Sequence, residues 1–102
     1  MPAQYALSPQ AARDLFEIWL YIKTQSSEQL ADQVEQVIKN KFLLLASHPQ
    51  IGHTRPNLTA EPVKFFTVYS YLIVYLPETR PLAIVAILHG YRDLESILPE
   101  RI

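Results

Sequence analysis

Leu82-Ala83-Ile84-Val85-Ala86-Ile87-Leu88 is the longest apolar run in this 102-residue sequence, and the rest of the chain has to be arranged around it. It is far too short for a membrane-spanning helix, which needs ~18 or more such residues. Its Ile, Val and Leu content reads instead as a strand. Alternation would put Leu82, Ile84, Ala86 and Leu88 on one face and Val85 and Ile87 on the other. A strand apolar on both faces belongs inside a sheet, here with helices expected over one side.

Two further strand-like runs precede it, Val63–Val68 and Tyr71–Leu76. Their connections, Tyr69-Ser70 and Pro77–Pro81, are short enough for antiparallel hairpins. Residues 48–62 hold Pro49, Pro56, Pro62 and Gly52 and read as an ordered loop. Upstream of the loop the period changes from two to three and four. Ser27 is a candidate cap for a helix whose apolar stripe is Ala31, Val34, Ile38, Phe42 and Leu45, widened by Leu43 and Leu44. His48-Pro49 closes it, because the residue before proline is pushed out of helical backbone. Ser8-Pro9 opens an earlier helix with Ala12, Leu15, Phe16, Trp19 and Ile22 as its predicted buried face. Asp14 and Glu17 are expected to favour its early turns through the helix dipole. Residues 3–7 alternate as a short first strand, and Arg92–Leu98 reads as a terminal helical turn. The order β-α-α-β-β-β is an α+β fold: a helical hairpin on a mostly antiparallel sheet.

Composition narrows the function. The length fits one domain, and no linker, repeat or charge segregation divides residues 1–102. With no cysteine there is no disulfide framework, thiolate metal site or cysteine nucleophile. Gly52 and Gly90, the only glycines, cannot build a dinucleotide fingerprint or a P-loop. A formal charge of −1 argues against binding nucleic acid mainly through phosphate neutralisation. Met1–Tyr5 carries no basic and apolar leader pattern, so a soluble cytoplasmic protein without membrane contact is expected.

Among side chains that could carry chemistry, His48 and His53 flank a loop without paired carboxylates, which makes a metal site unpromising. No serine lies in a nucleophile-elbow pattern. Phe16, Phe65, Tyr71, Tyr75 and Trp19 read first as core. Phe66 shares a strand face with Lys64, where partly exposed aromatics would suit a peptide. Arg55, Lys64, Arg80 and Arg92, with His89, are the cations that a sheet topology could gather for phosphate stabilisation or acid–base cleavage of RNA. The competing reading pairs Lys64 with Glu61, and Arg92 with Asp93 or Glu95, as surface charge.

Several segments together resemble a known family. Leu7-Ser8-Pro9-x-Ala11 and Asp14-Leu15-x-x-Ile18-Trp19-x-Tyr21-Ile22 are similar to the first helix of the ParE branch of the RelE/ParE toxin superfamily. The likeness continues through His48-Pro49-x-Ile51-Gly52, Arg55-Pro56-x-Leu58, Tyr71–Tyr75 and Leu88-His89-Gly90-x-Arg92-Asp93. Tyr91, where that ending commonly has a small residue, and His53, where many relatives carry arginine, depart from the pattern.

The resemblance implies the toxin half of a bacterial type II toxin–antitoxin pair, with no cofactor or metal. A small antitoxin, often a ribbon-helix-helix dimer, would fold its tail onto the toxin and alone contact DNA. The ParE branch poisons DNA gyrase and has no catalytic residues of its own; the RelE branch cuts mRNA on the ribosome. The near-neutral charge favours the first. On that branch Arg92, Asp93, Leu94 and Ile97 are the expected target contacts, and Leu15, Trp19, Phe66 and Tyr69 the expected antitoxin contacts. On the other, His89 or Tyr91 would move protons while Arg55, Lys64 and Arg92 stabilise the transition state. A third alternative is a toxin-fold domain that only binds antitoxin. So apolar a small chain should leave hydrophobic surface uncovered, and a groove beside the first helix and the sheet edge is where a partner is expected.

Overall fold

The computed structural model describes residues 4–90 and 94–102. The chain runs β1 (Tyr5–Leu7), α1 (Pro9–Gln25), α2 (Glu28–Ser47), a 3-10 turn (Pro49–Ile51), β2 (Lys64–Val68), β3 (Tyr71–Leu76), β4 (Leu82–His89), α3 (Leu94–Ile97) and a second 3-10 turn (Leu98–Glu100). This is the expected α+β order. The sheet is β1-β4-β3-β2, with β1 parallel to β4 and the other pairs antiparallel. β4 is therefore interior, as its doubly apolar sequence requires.

Both helices start where their caps predict. The Ser8 hydroxyl accepts from the Ala11 N–H at 3.0 Å, and the Ser27 hydroxyl from the Leu30 N–H at 3.0 Å. Each satisfies a donor that a helix N-terminus otherwise leaves orphaned. The buried face of α1 is rotated from the predicted one. It is Ala11, Leu15 and Ile18, with Ile22 beside them, while Ala12 is exposed and Phe16 is 56% exposed. On α2, Ala31, Ile38, Phe42 and Leu45 are buried as expected, but Leu43 and Leu44 point outward. A run of consecutive leucines cannot all share one face when residues advance by about 100° each.

The other correction lies in β4. Val74 pairs with Ala86, yet Tyr75 pairs with Ile84, so Val85 is an extra residue in the ladder. Such a bulge reverses the facing of everything beyond it. Leu82, Ile84 and Ile87 pack into the helix-side core, whereas Val85, Ala86 and Leu88 face the opposite side. The simple alternation predicted from the sequence fails there.

That opposite side is a second core. Val63, Phe65, Leu72, Val74, Val85, Ala86 and Leu88 pack with Leu94 and Leu98 from the C-terminal segment. The sheet is thus covered on both faces, by the helical hairpin on one and by the C-terminal turns on the other.

The loop of residues 48–62 is tied down by Tyr75. Its buried phenol accepts from the Gly52 N–H at 3.0 Å and donates to the Pro49 carbonyl at 2.7 Å. Gly52 has ordinary extended backbone, so close approach rather than a special dihedral explains it. A Cβ there would meet the Tyr75 hydroxyl and would lie 2.9 Å from the Phe65 carbonyl oxygen. Next to it, His53 extends the sheet by a bridge to Phe65, exchanging hydrogen bonds of 2.8 and 2.7 Å.

Burial pushes the Tyr75 phenol above its ordinary 10.0, partly offset by the Gly52 hydrogen bond. The folded state therefore holds the proton more tightly than the unfolded chain does. This contribution is complete below pH 10.0 and is lost as pH rises through the elevated folded value. Tyr75→Phe should destabilise by about 1–3 kcal/mol at neutral pH in urea unfolding, because the Gly52 N–H and Pro49 carbonyl lose their partner. The variant should also lose stability less steeply at alkaline pH than the parent chain.

Candidate functional site: a groove beside the first helix

β1 stops at Leu7, which leaves that edge of β4 exposed beyond Ile84. The start of α1 closes it. The Ser8 N–H donates to the Ile84 carbonyl at 3.0 Å, and the Ser8 hydroxyl donates to Val85 at 3.4 Å. Two turns further on, the Ile87 N–H donates to Oδ2 of Asp14 at 3.1 Å. Asp14 is 8% exposed, so its charge needs compensation. Arg101 supplies it with a two-pronged contact, Nη1 to Oδ2 at 2.7 Å and Nη2 to Oδ1 at 3.0 Å. These bonds push the guanidinium further above its ordinary range, against the opposing effect of burial, so Arg101 remains charged.

Asp14 was expected to serve the helix dipole. Neither Asp14 nor Glu17 lies in the first turn of α1, and Asp14 instead joins helix, sheet edge and C-terminus. No reading of the sequence singled out Arg101. A buried-face position filled by aspartate was the available signal, since an acid there demands a cation from elsewhere.

Next to this junction is a groove of about 530 Å³. Asp14, Glu17, Ile18 and Tyr21 form one side, at the spacing that aligns residues on one helix face. Tyr69, Ser70 and Tyr71 form the other, and Ile87, Leu88 and His89 the floor. Tyr71 and His89 are opposed across β3 and β4 with their rings edge to face, centroids 5.8 Å apart. Burial, and to a lesser extent the neighbouring Tyr21, raises the Tyr71 phenol above 10.0. The Tyr71 phenol is therefore neutral at physiological pH.

Tyr69 is distinctive. It sits in the β2–β3 turn with φ at 53° and a side chain 58% exposed. Left-handed backbone costs a non-glycine residue roughly 1–2 kcal/mol, and an exposed ring recovers little of that through packing.

The expected antitoxin contacts are scattered. Tyr69 lines the groove, but Leu15 is buried in the core and Phe66 packs half-buried against it. Trp19 is not a core residue: its Nε1–H donates to Asp32 at 2.8 Å, Phe16 stacks on it, and Lys23 lies 5.0 Å from its ring centroid. Of the expected target contacts, Leu94 is buried and Ile97 packs against the second core; Arg92 and Asp93 lie outside the described residues, as does Tyr91.

Of the expected cations, Arg92 lies outside the described residues, and the others do not converge. Lys64 is paired with Tyr75 and His89 with Tyr71, at opposite ends of β3 and roughly 13 Å apart at ~3.3 Å per residue. Lys64 Nζ reaches the Gly52 carbonyl at 3.5 Å, and Arg80 bonds the Pro77 and Thr79 carbonyls of its own turn. Arg55 lies on the other face of the sheet, 5.7 Å from the Phe65 ring centroid, beside Thr67, Leu72 and Gly90. Among the described residues, no group of three or more His, Cys, Asp or Glu side chains is placed to hold a metal ion. No helix among them is long and apolar enough to cross a membrane.

Arg101→Met should cost about 2–4 kcal/mol in urea unfolding, somewhat below the ~3–5 kcal/mol of a fully buried pair because Arg101 keeps some contact with water. Replacing Asp14 and Arg101 together with apolar residues should recover part of that loss.

Comparison with known proteins agrees with this architecture. Residues 5–94 match the family described as the ParE toxin of the type II toxin–antitoxin system, parDE. No curated protein matches the chain. Among solved structures, the fold is similar to a chain of the chromosomal ParDE toxin–antitoxin system from P. aeruginosa, with a TM-score of 0.72. Identity is 18%, and the alignment covers 83% of this chain and 92% of that one. With its family match spanning β1 to the start of α3, the chain belongs to the ParE toxins of type II toxin–antitoxin systems.

Proposed function

We propose that this ParE toxin acts by binding DNA gyrase and holding it in its DNA-cleaved state, and that a cognate antitoxin neutralises it by laying its tail along the α1 groove. The observation that carries the choice of target is the dispersal of Arg55, Lys64, Arg80 and His89. Ribosomal cleavage of mRNA needs proton-transfer groups and cations around one phosphate. Lys64 and Arg80 are engaged away from His89, and Arg55 is on the far face. The formal charge of −1 points the same way, since docking into ribosomal RNA rewards a basic surface.

The toxin would then work as a protein ligand. Its target contacts are assigned to Arg92, Asp93 and the segment that follows, anchored on the second core by Leu94 and Ile97. The antitoxin, of ribbon-helix-helix type, would carry all contact with DNA. Exposed Tyr21 and Tyr69 beside half-buried Tyr71 support the groove as its docking place, being large apolar surfaces that a free toxin leaves in water.

Purified protein added to gyrase with supercoiled plasmid should produce linear plasmid, and should leave mRNA intact on translating ribosomes. Cut message with normal supercoiling would overturn the gyrase reading. Expression without antitoxin should arrest bacterial growth; normal growth would favour a domain that only binds antitoxin. Co-expression of an adjacent ribbon-helix-helix protein should restore growth and raise the toxin's melting temperature.

A further inference from the structure

The α1 groove has an electrostatic character that its aromatic lining alone would not give. Its described lining carries two carboxylates, Asp14 and Glu17, and neither lysine nor arginine. Arg101 neutralises Asp14. Glu17 is exposed and has no hydrogen bond or ion pair with another described residue; Arg101 attracts it only at longer range, its guanidinium being committed to Asp14. Tyr21, Tyr69 and Tyr71 line the same groove. Aromatic faces carry negative electrostatic potential and attract cations, most strongly where water is partly excluded. The same chain pairs cations with rings elsewhere, Lys23 with Trp19 and Arg55 with Phe65.

These features select one occupant. A purely apolar anchor would take water from Glu17 and give it no direct partner, and an acidic segment would be repelled by it. A long side chain with a cationic tip satisfies both parts, its stem against the rings and its head at the carboxylate. The volume, about 530 Å³, accommodates such a side chain with its flanking backbone. Tyr69 adds an independent indication. Its left-handed backbone is unfavourable for tyrosine, and the exposed ring held there lines this groove.

We propose that the groove is a cation subsite, which takes an arginine or lysine side chain of a partner peptide segment among Tyr21, Tyr69 and Tyr71 with Glu17 as counter-ion. The proposal rests on the antitoxin reading only for the identity of the partner; the subsite itself can be tested without one.

The probe is the capped pentapeptide acetyl-Ala-Leu-Arg-Leu-Ala-amide, with citrulline in place of arginine as its neutral counterpart. Both are titrated into the full chain with isotope-labelled tyrosine rings and followed by NMR. Saturable shifts are expected at Tyr21, Tyr69 and Tyr71, with the arginine peptide binding roughly three- to tenfold tighter than the citrulline peptide. That preference should disappear in Glu17→Gln. Tyr69→Gly should raise the melting temperature by relieving the backbone while weakening arginine-peptide binding, opposite signs that a purely structural tyrosine would not produce. Equal binding of the two peptides, shifts confined to other tyrosines, no saturable shift, or undiminished affinity in Tyr69→Gly would each overturn the subsite. Failure of antitoxin co-expression would leave this result unchanged and would refute only the partner's identity.

Discussion

The contact on which the rest of the molecule depends is a carboxylate meeting a backbone amide, Asp14 with the Ile87 N–H. β1 is too short to pair with the whole of β4, so the strand would otherwise present an unsatisfied amide at its edge. Asp14 takes that amide and thereby fixes α1 against β4. Its buried charge then requires Arg101, which brings the C-terminus to the same place. Helix, sheet edge and C-terminal segment share one carboxylate. The groove beside it inherits its shape from that junction, because Asp14, Ile18 and Ile87 are part of its lining.

Much of the fold is legible in the sequence because it rests on local signals. Ser8-Pro9, Ser27 and His48-Pro49 mark helix ends through capping and proline geometry. The double-sided apolarity of Leu82–Leu88 identifies the interior strand. What escapes is whatever depends on register. The extra residue at Val85 leaves no mark in an unbroken run of aliphatic side chains, yet it transfers Ile87 to the helix side and sends Ala86 and Leu88 to the other. The second core follows from that switch, so the role of Leu94 and Leu98 was hidden with it. Likewise, Phe16 and Trp19 fit a helical stripe as well as Ala11 and Ile18 do; tertiary packing decides which stripe is buried.

The site is less legible than the fold. Tyr69 was identifiable as a residue of interest, but its left-handed backbone was not. Asp14 and Arg101 are far apart in the chain, and neither carries a local pattern that names the other. Arg55, Lys64, Arg80 and Arg92, with His89, form a possible set because the second and last strands share one sheet; the strand pairing separates Lys64 from His89, and Arg55 lies on the other face. On the proposed reading, function rests on a surface for proteins. One face offers a groove of tyrosines and carboxylate, the other a C-terminal segment anchored by leucines.

Asp14 seals the β4 edge and so builds the groove. Amide hydrogen exchange at Ile87 measures this directly. The Ile87 amide should exchange as slowly as the amides paired between β3 and β4, opening only when the whole fold opens, and Asp14→Ala should abolish this protection selectively. An Ile87 amide that exchanges freely in the parent chain, at the rate of an uncovered strand edge, would contradict it.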